Sequence, residues 1–196
     1  MSIQIKAFTG LAGNTYIPAL ARLRIEIFRE FPYLYDGDMA YEEAYLKTFF
    51  AAPDSLIVVA FDQDQIVGAS TGMPLEHETE NIKSPWRAAG HDPARIFYYG
   101  ESVLRHSYRG QGIGVRFFEE REKWARQLGR FERLTFCAVI RPDDHPLRPK
   151  SYTPLHDFWH RRGFGKVEGM SCTMDWKDLD APEETSKSLQ FWQKSL

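Results

Sequence analysis

Cysteine is scarce in this sequence, with two residues, Cys137 and Cys172, in a chain of 196. Each lies in an apolar segment typical of a strand, and the pair shows no spacing typical of zinc ligands or of a disulfide framework. Small buried thiols are common in protein cores. We therefore expect both cysteines to be reduced core residues, and we expect no metal site.

Long apolar runs and an excess of charge of one sign are also missing. No stretch approaches the roughly 20 apolar residues of a membrane span, and the formal net charge of −2 provides no general basic field for nucleic acid or anionic lipid. The N-terminal segment MSIQIKAFTG lacks the basic and apolar regions of a signal peptide. We expect a cytoplasmic protein that binds neither nucleic acid nor membrane.

What the sequence does contain is a regular succession of strand and helix patterns. The apolar fraction of 43% suits one domain with a substantial core. Alternating and helical periodicities predict the order β-α-α-β-β-β-α-β-α-β-β. The last two predicted strands are FGKVEG and SCTMDW, and the segment Met73–Arg95 is predicted to be a loop with one short helix near Trp86.

The predicted domain covers residues 1–177, and residues 178–196 form a separate tail. The polar stretch KDLDAPEETS, which begins at Lys177, leads into this tail, and Leu189, Trp192 and Leu196 follow at helical spacing. This pattern predicts a polar linker and a C-terminal amphipathic helix. The apolar face of that helix would pack on the domain or on a partner subunit, so a homodimer is one expectation.

Three glycines at alternate positions, Gly110, Gly112 and Gly114, stand between a predicted strand and a predicted helix. The first amides of a helix lack intrahelical partners and attract anions, and bare glycines let a phosphate approach them. The spacing matches neither the Walker loop nor the dinucleotide fingerprint. The stretch therefore indicates a different phosphate cradle, with a turn that packs the helix tightly on the strand as the alternative.

The stretch RGQGIG, Arg109–Gly114, resembles the Arg/Gln-x-x-Gly-x-Gly/Ala signature of the GNAT superfamily of acyl-CoA N-acyltransferases. FWHRRGF, Phe158–Phe164, is similar to the aromatic FY-x-x-x-GF pattern that the family carries in a later helix. The resemblance implies an α/β (α+β) GNAT fold, whose mixed, mostly antiparallel central sheet of about six to seven strands is flanked by helices.

The resemblance also implies acetyl-CoA as the co-substrate. The amides of Gln111–Val115 would hold the pyrophosphate, and main-chain groups near Val103–Arg105 would pair with the pantetheine arm. The candidate cofactor-binding residues are Val103, Leu104, Arg105, Arg109, Gly110, Gln111, Gly112, Ile113, Gly114, Val115 and Trp159.

Acyl transfer to an amine needs a base and, for the leaving thiolate, an acid. Glu101, late in the predicted strand before the glycines, is the candidate base, and its alternative role is to position a cationic substrate. The family's usual acid is a tyrosine at the position of Trp159, and an indole cannot deliver that proton. Tyr152 is therefore the first candidate acid, with His156, His160 or solvent as alternatives.

The acceptor is expected to be an amine of a small molecule or peptide. By resemblance, the segment between the first two helices covers the acceptor pocket, and Tyr33, Tyr35 and Asp36 there favour a cationic amine. The loops Met73–Arg95 and Arg141–Thr153 are expected to close over it. The predicted function is acetyl transfer by direct attack on the thioester; the alternative is a catalytically idle acyl-CoA-binding sensor or assembly module.

Overall fold

The computed structural model describes residues 3–196. Seven strands form one sheet in the order β1-β2-β3-β4-β5-β7-β6, in which β4 and β5 are the parallel neighbours. The strands are β1 (Gln4–Thr9), β2 (Leu56–Asp62), β3 (Gln65–Pro74), β4 (Ile96–Leu104), β5 (Arg133–Val139), β6 (Gly165–Lys177) and β7 (Glu184–Ser195). The helices are α1 (Ile17–Phe28), α2 (Met39–Ala51), α3 (Glu80–Ala88), α4 (Ile113–Leu128) and α5 (His156–His160). The mixed, mostly antiparallel sheet with flanking helices is confirmed.

Helices cover both faces of the sheet. The helices α1 and α2 pack against one face through a cluster that includes Leu23, Phe50 and Val59, and α4 packs against the other face through Ile113 and Phe117. Asp38 caps α2 by accepting a hydrogen bond from the amide of Tyr41 at 2.9 Å. Because β2 and β3 lie between these helices, their residues are almost all buried.

The C-terminal helix predicted for the tail is wrong. Residues 184–195 form β7, which lies between β5 and β6. Leu189 packs in a cluster on one face of the sheet and Trp192 in a cluster on the other. Because both faces of β7 are covered, its apolar residues do not alternate, and the strand period is hidden. The apolar stripe that suggested a homodimer is therefore covered within the chain.

Two other segments also differ from prediction. FGKVEG and SCTMDW belong to one strand, β6, whose register against β7 shifts between Lys166 and Ser171. Met73–Arg95 contains α3, the short helix expected near Trp86, but this helix contacts β6 and the segment does not border the cleft described below. Cys137 and Cys172 are free and buried, as predicted.

The strands β4 and β5 separate soon after they meet. Their parallel pairing runs from Ile96 opposite Arg133 to Tyr98 opposite Thr135 and then ends, while β4 continues to Leu104 beside β3. A register shift in this β3–β4 pairing, between Ser70 and Gly72, marks a bulge in β4 at Gly100 and Glu101. This separation, which we call the splay, opens one edge of β4 to the cleft.

Candidate active site

One cleft of about 1520 Å³ runs from the start of α4 along the splay to the turn after α1. Ten of the predicted site residues border it: Tyr33, Glu101, Leu104, Arg109, Gly110, Gly112, Gly114, Val115, Tyr152 and Trp159. The predicted cradle, base and acid therefore share one cavity.

The glycine cradle forms the first turn of α4. Gly110 and Gly112 have φ values of 77° and 81°, in the left-handed region, and a Cβ on either would meet no atom within 4 Å. Gly112 is the N-cap residue of α4, whose first turn carries no acidic residue. The amides that open this helix thus face an uncrowded space with a positive dipole, which suits a phosphate or pyrophosphate.

Arg109, predicted as a fixed charge beside the cradle, is held by two partners. Its Nη2 lies 2.7 Å from Oε2 of Glu30 in the turn after α1, and its Nε donates to the carbonyl of Leu104 at 3.2 Å. The side chain is about half exposed. Arg109 therefore ties the cradle to the end of β4 while its guanidinium borders the cleft.

The pairing of β4 corrects two of the predicted pantetheine contacts. The amide of Arg105 donates to the carbonyl of Val67, and Val103 pairs with Ala69, so the main-chain groups of both residues point towards β3. Because successive residues of a strand direct these groups to opposite sides, the splay edge is formed by Ser102 and Leu104. Both of these residues border the cleft, and Val103 and Arg105 do not.

Gln111 and Ile113 do not border the cleft. Both border a second depression, with Ile5 of β1 and Ile3 just before it, and Gln111 also donates to the carbonyl of Ser107. Trp159 stands on the opposite wall of the cleft, with ring centroids 5.0 Å from Phe136 and 4.9 Å from Trp192. Trp159 thus forms an aromatic wall of the cleft.

Glu101 sits on the bulge with its carboxylate in a buried ion cluster. Its Oε1 lies 2.7 Å from Nη1 of Arg24 on α1, and Arg24 also pairs with Glu42 of α2. The guanidinium lies over the rings of Phe28 and Tyr45. Although burial opposes it, these anionic neighbours, Glu101 first, raise the pKa of Arg24 above its usual value. One cation and two carboxylates leave the cluster with a net charge of −1.

Tyr33 and Tyr152 border the cleft near Glu101. Burial first, and then Cys137 and Glu101, raise the pKa of Tyr33 well above its usual range. Burial also raises the pKa of Tyr152, so both hydroxyls stay protonated at neutral pH. Phe31 packs edge-to-face on Tyr152 with centroids 4.6 Å apart. The loop that carries Tyr152 therefore roofs this end of the cleft, and closure of Arg141–Thr153 over an acceptor stays a prediction.

Tyr35 and Asp36 were predicted to bind the acceptor, and the structure places both outside the cleft. Burial and Glu42 raise the pKa of Tyr35, which lies between α1 and α2. Asp36 pairs with Lys177 at the end of β6 at 3.0 Å, and this contact lowers its pKa. Through these contacts, Tyr35 and Asp36 attach the connection between α1 and α2 to Glu42 of α2 and to Lys177 at the end of β6.

Sequence reasoning missed three arginines around the site. Arg24 and Arg121 occupy buried positions in the inward stripes of α1 and α4, and a charge within an apolar stripe was the available signal. Arg141 follows β5; it donates to the carbonyls of Pro32 and Tyr33 and pairs with Asp178 at 2.8 Å. Arg141 thus fixes Tyr33 against the roof, and only the tertiary contacts reveal that role.

Within residues 3–196 no cluster of three or more metal-ligating side chains occurs. Over the same range, none of the helices has the length and apolar character needed to span a bilayer.

A bare helix start beside an open strand edge suits a ligand with an anionic end and an extended arm, and comparisons with known proteins identify the class of protein. The model of the acetyltransferase (GNAT) family matches residues 20–164. The chain belongs to this family, whose enzymes are acetyl-CoA-dependent N-acetyltransferases. No curated protein matches the chain significantly.

Solved structures show the same fold at low sequence identity. An acetyltransferase of the GNAT family from Streptococcus pneumoniae is 13% identical, with a TM-score of 0.61 and 100% of both chains covered. The yncA protein from Salmonella typhimurium, solved with its cofactor acetyl-CoA, is 10% identical with a TM-score of 0.63, over 100% of this chain and 95% of that one. A ribosomal-protein-alanine N-acetyltransferase from Brucella melitensis is 16% identical with a TM-score of 0.62, over 98% and 99%.

Proposed function

We propose that this protein transfers the acetyl group of acetyl-CoA to a primary amine of a small molecule or peptide by direct attack on the thioester. One observation carries the proposal: the glycine cradle, the open edge at Ser102 and Leu104, and Glu101 border a single cleft. The anionic end of acetyl-CoA then lies at the cradle, and its thioester lies in the splay beside Glu101.

The acceptor end of the cleft favours an amine that binds as an ammonium ion. Phe28, Tyr33 and Tyr152 provide aromatic walls there, and Glu101 brings a carboxylate to the same cleft. Aromatic faces and a carboxylate both attract cations. Tyr35 and Asp36 lie outside the cleft, so Tyr33 and Glu101 are the sequence-predicted residues that support this preference.

In the proposed reaction Glu101 binds the ammonium group and takes the proton that the amine must lose before attack. The amine nitrogen forms a bond to the acetyl carbon and the carbonyl oxygen takes up the electron pair. The nitrogen then loses its second proton to solvent, and the carbon–sulfur bond breaks when that intermediate collapses. Glu101 releases the proton it has taken to solvent before the next turnover. Tyr152 donates its hydroxyl proton to the coenzyme A thiolate and regains a proton from solvent. Its raised pKa keeps that proton available at neutral pH.

Calorimetry with acetyl-CoA and with coenzyme A, followed by a thiol-release assay, tests the proposal. The amine panel contains polyamines, aminoglycosides, amino acids and peptides, each with a matched N-acetylated control that offers no free amine. We expect tight coenzyme binding and thiol release that requires one class of free amine. Tight binding without release from any amine would instead favour the idle acyl-CoA sensor, and absence of binding would contradict both.

A further inference from the structure

Arg121 is a buried cation at the bottom of the cleft that the proposed reaction does not yet use. It projects from α4, nine residues after the N-cap residue Gly112, and is 1% exposed. Within the described residues 3–196 its guanidinium has hydrogen-bond partners but no ion-pair partner. Burial lowers its pKa to about 10, so Arg121 remains charged at neutral pH.

The guanidinium occupies the gap that the bulge opens between β3 and β4. Its Nη1 lies 3.2 Å from the carbonyl oxygens of both Thr71 and Glu101, and its Nη2 lies 2.8 Å from Oγ of Ser102. Its Nε donates to the carbonyl of Phe117 at 3.1 Å. Since the bulge interrupts the ladder there, Arg121 supplies the donors that the two carbonyls would otherwise lack.

The Glu101 carbonyl shares a peptide unit with the amide of Ser102. In a planar trans peptide the C=O and N–H bonds point in opposite directions. With the Glu101 carbonyl directed at Arg121, between β3 and β4, the Ser102 N–H is directed at the splay, and Ser102 borders the cleft. A cation on the carbonyl also polarises the peptide and strengthens its N–H as a donor.

We infer that Arg121 is a positioning residue for acyl transfer: it fixes and polarises the Glu101–Ser102 peptide, so that the Ser102 N–H donates to the thioester carbonyl oxygen as negative charge develops on it. This inference rests on the proposed function, because it places the thioester in the splay. The same contact fixes the main chain of Glu101, so Arg121 couples α4, which starts at the cradle, to the base.

Kinetics of Arg121→Lys, Arg121→Gln and Arg121→Met test the inference. Loss of one oxyanion donor lowers kcat by about 10²–10³-fold, and because Arg121 acts through a peptide we expect a smaller loss, about 10–100-fold, for Arg121→Met. Arg121→Lys, which keeps the charge, should retain more activity than the equally polar but neutral Arg121→Gln. The dissociation constant for acetyl-CoA should change by less than about threefold, because the cradle is untouched.

A purely structural role would lower the melting temperature without this separation of kcat from coenzyme affinity and without partial rescue by lysine. If Arg121→Met does not fold, the comparison of lysine with glutamine decides the matter. A folded Arg121→Lys and Arg121→Gln with equal, wild-type kcat would overturn the inference.

The NMR chemical shift of the Ser102 amide provides a second test, which does not require catalytic turnover. In the wild-type protein acetyl-CoA should shift the Ser102 amide proton downfield in the NMR spectrum, and the shift should shrink in Arg121→Gln. If this holds while no amine is acetylated, the proposed acetyl transfer fails, while the effect of Arg121 on the Ser102 amide and its contact with the bound thioester stands. An equal shift in both proteins would overturn the role of Arg121, whichever amine is acetylated.

Discussion

Oε1 of Glu101 lies 2.7 Å from Nη1 of Arg24, and both side chains are nearly excluded from solvent. A single arginine thus holds the carboxylate at the bottom of the cleft and joins it to Glu42 on α2. Because Glu101 stands on a bulge of β4 and Arg24 on α1, the position of this carboxylate depends on the packing of α1 against the sheet. Four predictions concern this cleft and its surroundings.

Replacement of Glu101 by glutamine should reduce turnover while coenzyme affinity holds. Removal of a general base lowers the rate by about 10²-fold or more, so kcat/KM for the responsive amine should fall by that factor in steady-state assays. Arg24 keeps Glu42 as a partner, so the loss of unfolding free energy should stay below the about 3–5 kcal/mol typical of an orphaned buried charge.

The matched control is Glu119→Gln on the exposed side of α4. It removes the same charge from the same protein and should leave kcat/KM unchanged. A Glu101→Gln variant that raises KM for the amine without lowering kcat would assign Glu101 to binding the acceptor and remove it as the base.

Gly112→Ala should weaken acetyl-CoA binding more than it weakens the fold. The φ of 81° is unfavourable for alanine, so the fold should lose about 1 kcal/mol, and the new methyl group stands where the phosphate approaches. Calorimetry should show at least an about tenfold weaker complex, equivalent to 1.4 kcal/mol. Gly112→Glu, which adds a negative charge, should abolish binding.

Gly129 provides a matched control for the backbone effect. It ends α4 with a φ of 68°, and a Cβ there also meets no atom within 4 Å, but it does not border the cleft. Gly129→Ala should lose similar stability and keep wild-type coenzyme affinity. Equal affinities in Gly112→Ala and Gly129→Ala would contradict the phosphate cradle.

Tyr152→Phe should lower kcat without changing the affinity for acetyl-CoA, because it removes the proposed proton donor and keeps the ring that packs on Phe31. Loss of general acid catalysis is worth about 10²-fold. Burial raises the pKa of Tyr152 above its usual value, so its hydroxyl stays protonated in mildly alkaline solution and wild-type kcat should not fall between about pH 7 and about pH 9 on its account. Tyr41→Phe, at an exposed position, is the control, and equal kcat in both variants would remove Tyr152 as the acid.

Glu78, a buried residue shortly after the end of β3 at Pro74, should make the free energy of unfolding depend on pH. Burial raises its pKa from 4.5 to about 7, so the folded protein binds a proton that the unfolded chain has released between these values. Stability from this group is therefore fully present below pH 4.5 and declines as pH rises to about 7, by a total of about 3 kcal/mol.

Urea unfolding of the wild type and of Glu78→Gln at pH 5 and pH 8 measures this effect. The neutral glutamine should be close to the wild type at pH 5 and more stable at pH 8. An equal difference in unfolding free energy at both pH values would show that Glu78 does not titrate in this range.

Much of the fold could be read along the chain because its signals are local. The period of Leu20 and Leu23 in α1, the cap at Asp38 and the left-handed glycines before α4 each depend on residues a few positions apart. The helix prediction for the tail was wrong because Leu189 and Trp192 face opposite sides of the sheet. A strand that is covered on both faces shows no alternation of apolar and polar residues, so its apolar residues fit a helical spacing equally well.

The sequence by itself determined the glycine turn that opens α4, because the freedom of Gly110 and Gly112 and the start of the helix after them are properties of that stretch alone. Only the tertiary structure decided the rest of the site. The residues of β4 that form the splay edge are set by its register with β3. This register directs the main-chain groups of Ser102 and Leu104 towards the splay and those of Val103 and Arg105 towards β3. Arg24, Arg121 and Arg141 reach their partners across 18 to 109 positions of the chain, and such contacts exist only once the helices have packed on the sheet.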